Sequence, residues 1–231
     1  MGMVVRAVVL DFGGTLADGH IDWDEYHRAI QGLLKALGFS IDMSRLRRAI
    51  AAALDRLERI RARGEELTFE EVYAHALSRL DVPPDEGTLE MVHGLFRRHF
   101  ETAIYPCVEE VLRRLSKRYK LGLLSNTLSD TPRIALQQAR LMGYFDVVAL
   151  SRDLGFRKPH PRAFLHILEK LGFGAEEAVH VGDNVEADME GATAAGMRAI
   201  WVRGADEPSW TGFTIRSICD LPELLARLEG P

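Results

Sequence analysis

Short, continuous apolar runs alternate with amphipathic stretches along most of this chain. Residues 4–11, 121–126 and 178–183 are apolar runs that each end in small or polar residues, and 147–151 and 199–202 repeat the pattern. Such runs predict strands buried on both faces of a parallel sheet. Helical periodicity fills the intervals at 108–119, 131–142, 161–171 and 185–195. Strand and helix in turn predict βαβ units, hence an α/β fold with a doubly wound, Rossmann-like parallel sheet as its core.

The rhythm breaks between about residues 21 and 100, where there is no convincing strand and four helices are predicted. Asp22 with Glu25 forms a cap for a helix over 23–37 that Gly38 ends, and a second helix covers 45–63 up to Gly64. Thr68 and Glu71 form a capping box for a third, which ends near Leu80 ahead of Pro83 and Pro84; a fourth covers 86–100. The chain is therefore read as a core of 1–20 and 101–231 with a small all-helical cap domain, 21–100, inserted after the first strand. An insert at that point predicts a lid whose closure excludes water from the strand end.

Composition narrows the function classes. The chain has 231 residues, 47% of them hydrophobic, and a net charge of −5. That is enough apolar material for a full core, and there is no electrostatic footprint for nucleic acid. Basic residues do gather in 45–63 and at Arg97 and Arg98, but Asp55, Glu58, Glu65 and Glu66 interleave with them, as on a solvated helix face. Cys107 and Cys219 are two only and far apart, which suggests neither a disulfide framework nor a zinc site. No apolar run is long enough to span a bilayer, and the N-terminus reads as a strand rather than a leader. The expectation is a soluble, cytoplasmic protein with a small-molecule partner, without nucleic acid or membrane.

Chemistry-bearing residues fall where the predicted strands end. Asp11 follows the first strand and opens the turn Phe12-Gly13-Gly14-Thr15. Ser125 and Asn126 close the second, Lys158 lies in the loop Gly155 to Pro159, and Asp183 and Asp188 follow the run 178–181. The carboxyl ends of parallel strands share one crevice, so these groups are expected to meet there. Three carboxylates can hold a hard, oxygen-preferring cation such as Mg²⁺ and would repel one another without it. Ser125 and Lys158 supply a hydroxyl and a positive charge suited to a phosphoryl group, placed for in-line attack by Asp11.

This ordered set resembles the haloacid dehalogenase superfamily of phosphatases and related hydrolases. The family pattern is Asp-x-Asp-x-Thr/Val, then Ser/Thr, then Lys, then an acidic pair such as Gly-Asp-x-x-x-x-Asp. Tyr105-Pro106 to Glu110, Arg157-Lys158-Pro159 and 191–196 also resemble its phosphatase-like branch, and the helical insert matches its subclass with an α-helical cap. The resemblance covers nearly the whole chain. It implies that Asp11 is a nucleophile forming an aspartyl-phosphate and also a metal ligand, joined by the backbone carbonyl of Gly13, by Asp183 and by Asp188. It implies Mg²⁺ as cofactor and a small phosphorylated substrate whose phosphate is held by Ser125, Asn126 and Lys158, with Lys158 also catalytic. Thr15 supports the turn.

The departure is at Gly13, where the family's phosphatases carry the Asp that serves as general acid and base. Such assistance is typically worth about 10²–10⁴ in rate. His20, beyond the turn, is the nearest substitute; read alone it is a solvent-facing loop histidine. Gly13 also motivates an alternative, a near-inactive or non-catalytic protein that binds phosphate or a partner. Dehalogenase relatives work without metal and so do not need Asp183 with Asp188. Phosphonatase relatives need a cap lysine, and Lys35, the single lysine of 21–100, sits in an ordinary amphipathic pattern.

Overall fold

Every residue of the first strand is buried, so it must be covered on both faces, and alternation of side chains along it defines two apolar layers. In the computed structural model, which describes residues 4–203 and 210–230, the chain divides into two compact units, Met1–Asp18 with Ala103–Pro231, and Gly19–Thr102. From β1 (Ala7–Leu10) the chain enters β2 (Ala17–Ile21) and the helical unit, α1 (Trp23–Ala36), α2 (Met43–Arg61), α3 (Phe69–Ser78) and α4 (Glu86–His99), and leaves through β3 (Phe100–Ile104). The remainder runs α5 (Val108–Leu115), β4 (Lys120–Ser125), α6 (Thr131–Gln138), β5 (Val147–Leu150), α7 (Ser151–Leu154), α8 (Pro161–Leu171), β6 (Ala178–Gly182), α9 (Gly191–Ala194), β7 (Arg198–Val202), β8 (Phe213–Ile215) and α10 (Leu221–Glu229).

Six parallel strands lie in the order β5-β4-β1-β6-β7-β8. Val8 and Leu10, with Leu121, Leu123, Val179 and Val181, pack against α5, α6 and α10 on one face. Ala7 and Val9, with Leu124, Ala178 and Ala199, pack against α8 and α9 on the other. The order reverses between β1 and β6: β4 and β5 extend one side of β1, and β6, β7 and β8 the other. A doubly wound sheet opens its ligand crevice at such a switch.

The helical unit shows the predicted caps. Asp22 accepts from the Glu25 N–H, and Thr68 and Glu71 make both bonds of a capping box. Tyr26, Phe69, Tyr73, Phe96 and Phe100 stack as its aromatic interior, so Tyr26 is a packing residue. The basic run on α2 is matched by carboxylates, Arg59 with Asp55 and Arg61 with Glu58 and Glu66.

Several expectations change. Strands β2, β3 and β8 carry few buried residues and show no apolar run, β2 burying only its ends. The segment predicted as one helix over 185–195 is a wider π-helical turn, Val185–Glu190, followed by the short α9. Cys107 and Cys219 form a disulfide: although 112 residues apart, their Cα atoms are 5.8 Å apart. Separation along the chain was the wrong guide, because α5 and the segment after β8 pack on the same face of the sheet. The pair also removes the cysteine content as support for a cytoplasmic location. No described helix is long and apolar enough to cross a membrane.

A link closing so long a loop stabilises by restricting the unfolded chain, by roughly 4–5 kcal/mol in the chain-entropy account. Denatured, unreduced protein is expected to show no free thiol by colorimetric titration and two after reduction, with a lower melting temperature in the reduced form. Two thiols before reduction would refute the link.

Candidate active site

Strand register brings the predicted residues to one edge. Leu10 pairs with Leu123 of β4 and with Val181 of β6. Asp11, one residue past Leu10, therefore emerges beside Ser125 and Asp183, each two residues past its own partner of Leu10. The Asp11 N–H continues the ladder onto the Val181 carbonyl at 2.9 Å, which holds the start of the turn rigid. The turn closes through Leu16 and Ala17 N–H groups donating to the Phe12 carbonyl.

Lys158 is the centre of the site. It is 2% exposed, and its Nζ donates to Asp11 Oδ1 at 2.6 Å and to Asp188 Oδ1 at 2.5 Å. Asp188 reaches this position because the π-helical turn carries it back over the end of β6, where its Oδ2 accepts from the Asn184 N–H at 3.0 Å. Gly182 permits that approach: a Cβ there would lie 2.3 Å from the Asp188 carboxyl carbon. Gly14 does the same for Asp183. It has φ +71°, and a Cβ on it would lie 2.0 Å from the Asp183 carboxylate. Oxygen atoms of Asp11, Asp183 and Asp188 all lie within 4.8 Å of one another.

Burial and mutual repulsion shape their charge. Burial raises the Asp11 carboxyl above its ordinary range, with Asp188 adding to the rise and Lys158 opposing it. Burial disfavours ionised Asp188 as well, yet the Lys158 ammonium and the His180 hydrogen bond hold it well below the usual carboxylate range. Partial loss of hydration and the neighbouring Asp188 charge raise Asp183. Burial opposes charge on Lys158, but the two carboxylates raise it, so the ammonium stays charged. Three carboxylates thus face one ammonium.

Two residues have roles that the sequence reading did not assign. Asn126, expected to hold phosphate, has its side-chain amide on the Lys158 backbone: Oδ1 accepts from the Lys158 N–H and Nδ2 donates to the Lys158 carbonyl, both at 2.9 Å. His180 lies inside an apolar strand. It is fully buried, edge-on to Phe164, and its Nε2 lies 2.9 Å from Asp188 Oδ1. Burial lowers its basicity, so the neutral ring donates from Nε2. The available signal was one polar residue among four apolar or small ones in β6.

The remaining predicted residues are placed plainly. Ser125 is buried at the end of β4, and Thr15 is buried with its hydroxyl lacking a partner among the described residues. Gly13 is exposed, and an ideal Cβ on it meets nothing within 4 Å. His20 and Lys35 are exposed, the former on β2 rather than in a loop. A second acidic group, Glu70, Glu90 and His93, lies in the helical unit; there Glu70 pairs with His93 and Glu90 with Arg97.

The chain is similar to known proteins. Residues 5–196 match the model of the haloacid dehalogenase-like hydrolases. A phosphoserine phosphatase of Thermus thermophilus is 37% identical over 134 residues, 58% of this chain and 53% of that protein. The chain spans about half the length of the curated relatives it matches first. Two crystal structures resemble it along its length. A 2-haloacid dehalogenase from Pseudomonas syringae has a TM-score of 0.72 at 27% identity, covering 97% of this chain and 99% of that one. A HAD phosphatase from Thermococcus onnurineus has a TM-score of 0.66 at 25% identity, covering 98% and 100%. The chain belongs to the haloacid dehalogenase-like hydrolase family.

Proposed function

We propose that the chain is an Mg²⁺-dependent phosphatase for small phosphorylated metabolites, working through phosphorylation of Asp11, with the helical unit as its cap. The observation that carries this reading is the convergence of Asp11, Asp183 and Asp188 around Lys158. The donors are oxygen only, and their excess of negative charge is what one hard divalent cation cancels. Asp11, Asp183 and Asp188 would hold it, with the Gly13 carbonyl; once bound, Mg²⁺ offsets charge on the phosphoryl oxygens. Relatives named as phosphatases support the reaction class.

Lys158 engages Asp11 Oδ1, which leaves Oδ2 to attack phosphorus. As that bond forms, the bond from phosphorus to the alcohol oxygen breaks, and the departing alkoxide takes its proton from water. Ser125 and Lys158 hold the transferred group. Water then attacks phosphorus, phosphate leaves, and the Asp11 carboxylate returns. Asn126 and His180 are positioning residues, one setting the Lys158 backbone and the other orienting Asp188.

No side chain at position 13 assists either proton transfer, so turnover is expected to be slow and to favour good leaving groups. With Mg²⁺, p-nitrophenyl phosphate is expected to be hydrolysed, and Asp11→Asn to lower the rate at least about 10³-fold. Mg²⁺ at about 100 times its Kd is expected to add roughly 2.7 kcal/mol of stability, lost in Asp183→Asn. Binding of Mg²⁺ and phosphate without turnover of any phosphoester would instead favour a non-catalytic binding protein.

Gly13 has open space at its Cβ and no left-handed φ, so an acid can be placed there without strain. Gly13→Asp is expected to raise turnover of an alkyl phosphate by about 10²–10⁴ and to raise p-nitrophenyl phosphate less. An unchanged alkyl phosphate rate would count against a missing proton shuttle as the limit. A second reading, hydrolytic dehalogenation, is favoured by Gly13 and by the dehalogenase neighbour. Halide needs no proton to leave. Chelator-insensitive chloride release from 2-chloropropionate would support it.

A further inference from the structure

Beside Asp183 the core unit has a cavity of about 490 Å³ that the steps above do not use. Its walls come from the turn after β1 (Gly14), from β2 (Asp18), from the ends of β7 and β8 (Arg203, Arg216), and from Tyr105 and Ser217. Of its carboxylates, Asp183 follows β6 and Asp18 is on β2, and the two arginines follow β7 and β8, the strands next beyond β6. On the acidic side, Asp18 accepts the Tyr105 hydroxyl at 2.7 Å. On the basic side, both arginines are exposed, and their guanidinium groups have no carboxylate or hydrogen-bond partner among the described residues. Two arginines that line one cavity and have no ion-pair partner among the described residues can receive an oxyanion.

The walls are also tied together. Cys107 lies two residues beyond Tyr105 and Cys219 two beyond Ser217, so their disulfide joins the Tyr105 side to the Arg216–Ser217 side. A wall held in place loses less freedom when a ligand binds.

We propose that this cavity is a second anion subsite, in which Arg203 and Arg216 receive an oxyanion on the same small molecule whose phosphate reaches the Asp11–Asp183 end. Neighbouring strands lie roughly 5 Å apart, so β6 to β8 spans about 10 Å, and long arginine side chains shorten the remaining gap. A phosphomonoester with an acid a few bonds away fits that distance. The substrate class is thus a phosphorylated small acid or a bisphosphate, with discrimination supplied by the core unit. This rests on the phosphatase reading, and its test separates the two.

The test compares 3-phosphoglycerate with glycerol 3-phosphate, which has the same three carbons without the carboxylate, and fructose 1,6-bisphosphate with fructose 6-phosphate. The first pair reads a carboxylate and the second a phosphate. Preference for the member with the second anionic group in at least one pair, as a kcat/KM ratio, is expected to fall about tenfold or more in Arg203→Gln and Arg216→Gln. Calorimetric titration of the same compounds into the Asp11→Asn protein with Mg²⁺ reads the subsite without turnover, and the same loss of affinity is expected there. Arginine-dependent binding with no cleavage of any ester by the unaltered protein upholds the subsite and removes the phosphatase reading. Cleavage with ratios within about twofold in the arginine variants overturns the subsite alone. So do equal losses on both members of each pair, or no binding of any probe.

Discussion

An ammonium group at 2% exposure is tolerable only where carboxylates meet it, and Lys158 is in that position at the end of the central strands. Removing such a charge from water costs several kcal/mol unless partners and hydrogen bonds offset it. The offset comes from Asp11 and Asp188, which belong to segments far apart in sequence. It therefore depends on β1 and β6 being neighbours, on the π-helical turn that returns Asp188, and on Asn126 gripping the Lys158 backbone. His180 completes the arrangement from beneath by donating to Asp188.

That same pairing shapes the charge of the site. Lys158 satisfies one oxygen of each of two carboxylates, but the three acids still exceed it in charge. The surplus creates a demand for a cation. Gly14 and Gly182 allow the acids to approach because they carry no Cβ, whereas Gly13 leaves an open volume where an acid–base group could stand. Metal and phosphate chemistry are compatible with this edge of the sheet. The cavity next to Asp183, lined by Arg203 and Arg216, is where a second charge on the substrate is proposed to sit.

Much of this was legible in the residues. The apolar runs around Val8, Leu123 and Val179 announce strands buried on both faces, since alternation is absent only where both faces are covered. Thr68 with Glu71 and Asp22 with Glu25 announce helix starts, because capping depends on side chains three residues apart. Elements that do not bury apolar side chains were not legible. β2 exposes Asp18, Gly19 and His20, and β8 exposes Phe213 and Thr214, so each is a strand by hydrogen bonding alone.

By itself the sequence determined the α/β core, the helical insert, and the identity and order of Asp11, Ser125, Lys158, Asp183 and Asp188. These follow from local periodicity and from residue types, which are carried by short stretches of chain. Tertiary structure alone decided that Asn126 serves Lys158, that His180 serves Asp188, that Cys107 meets Cys219, and that Arg203 and Arg216 share one cavity. Each of these is a meeting of side chains brought together by strand order and helix packing. The distance along the chain between them carries no information about the distance in space.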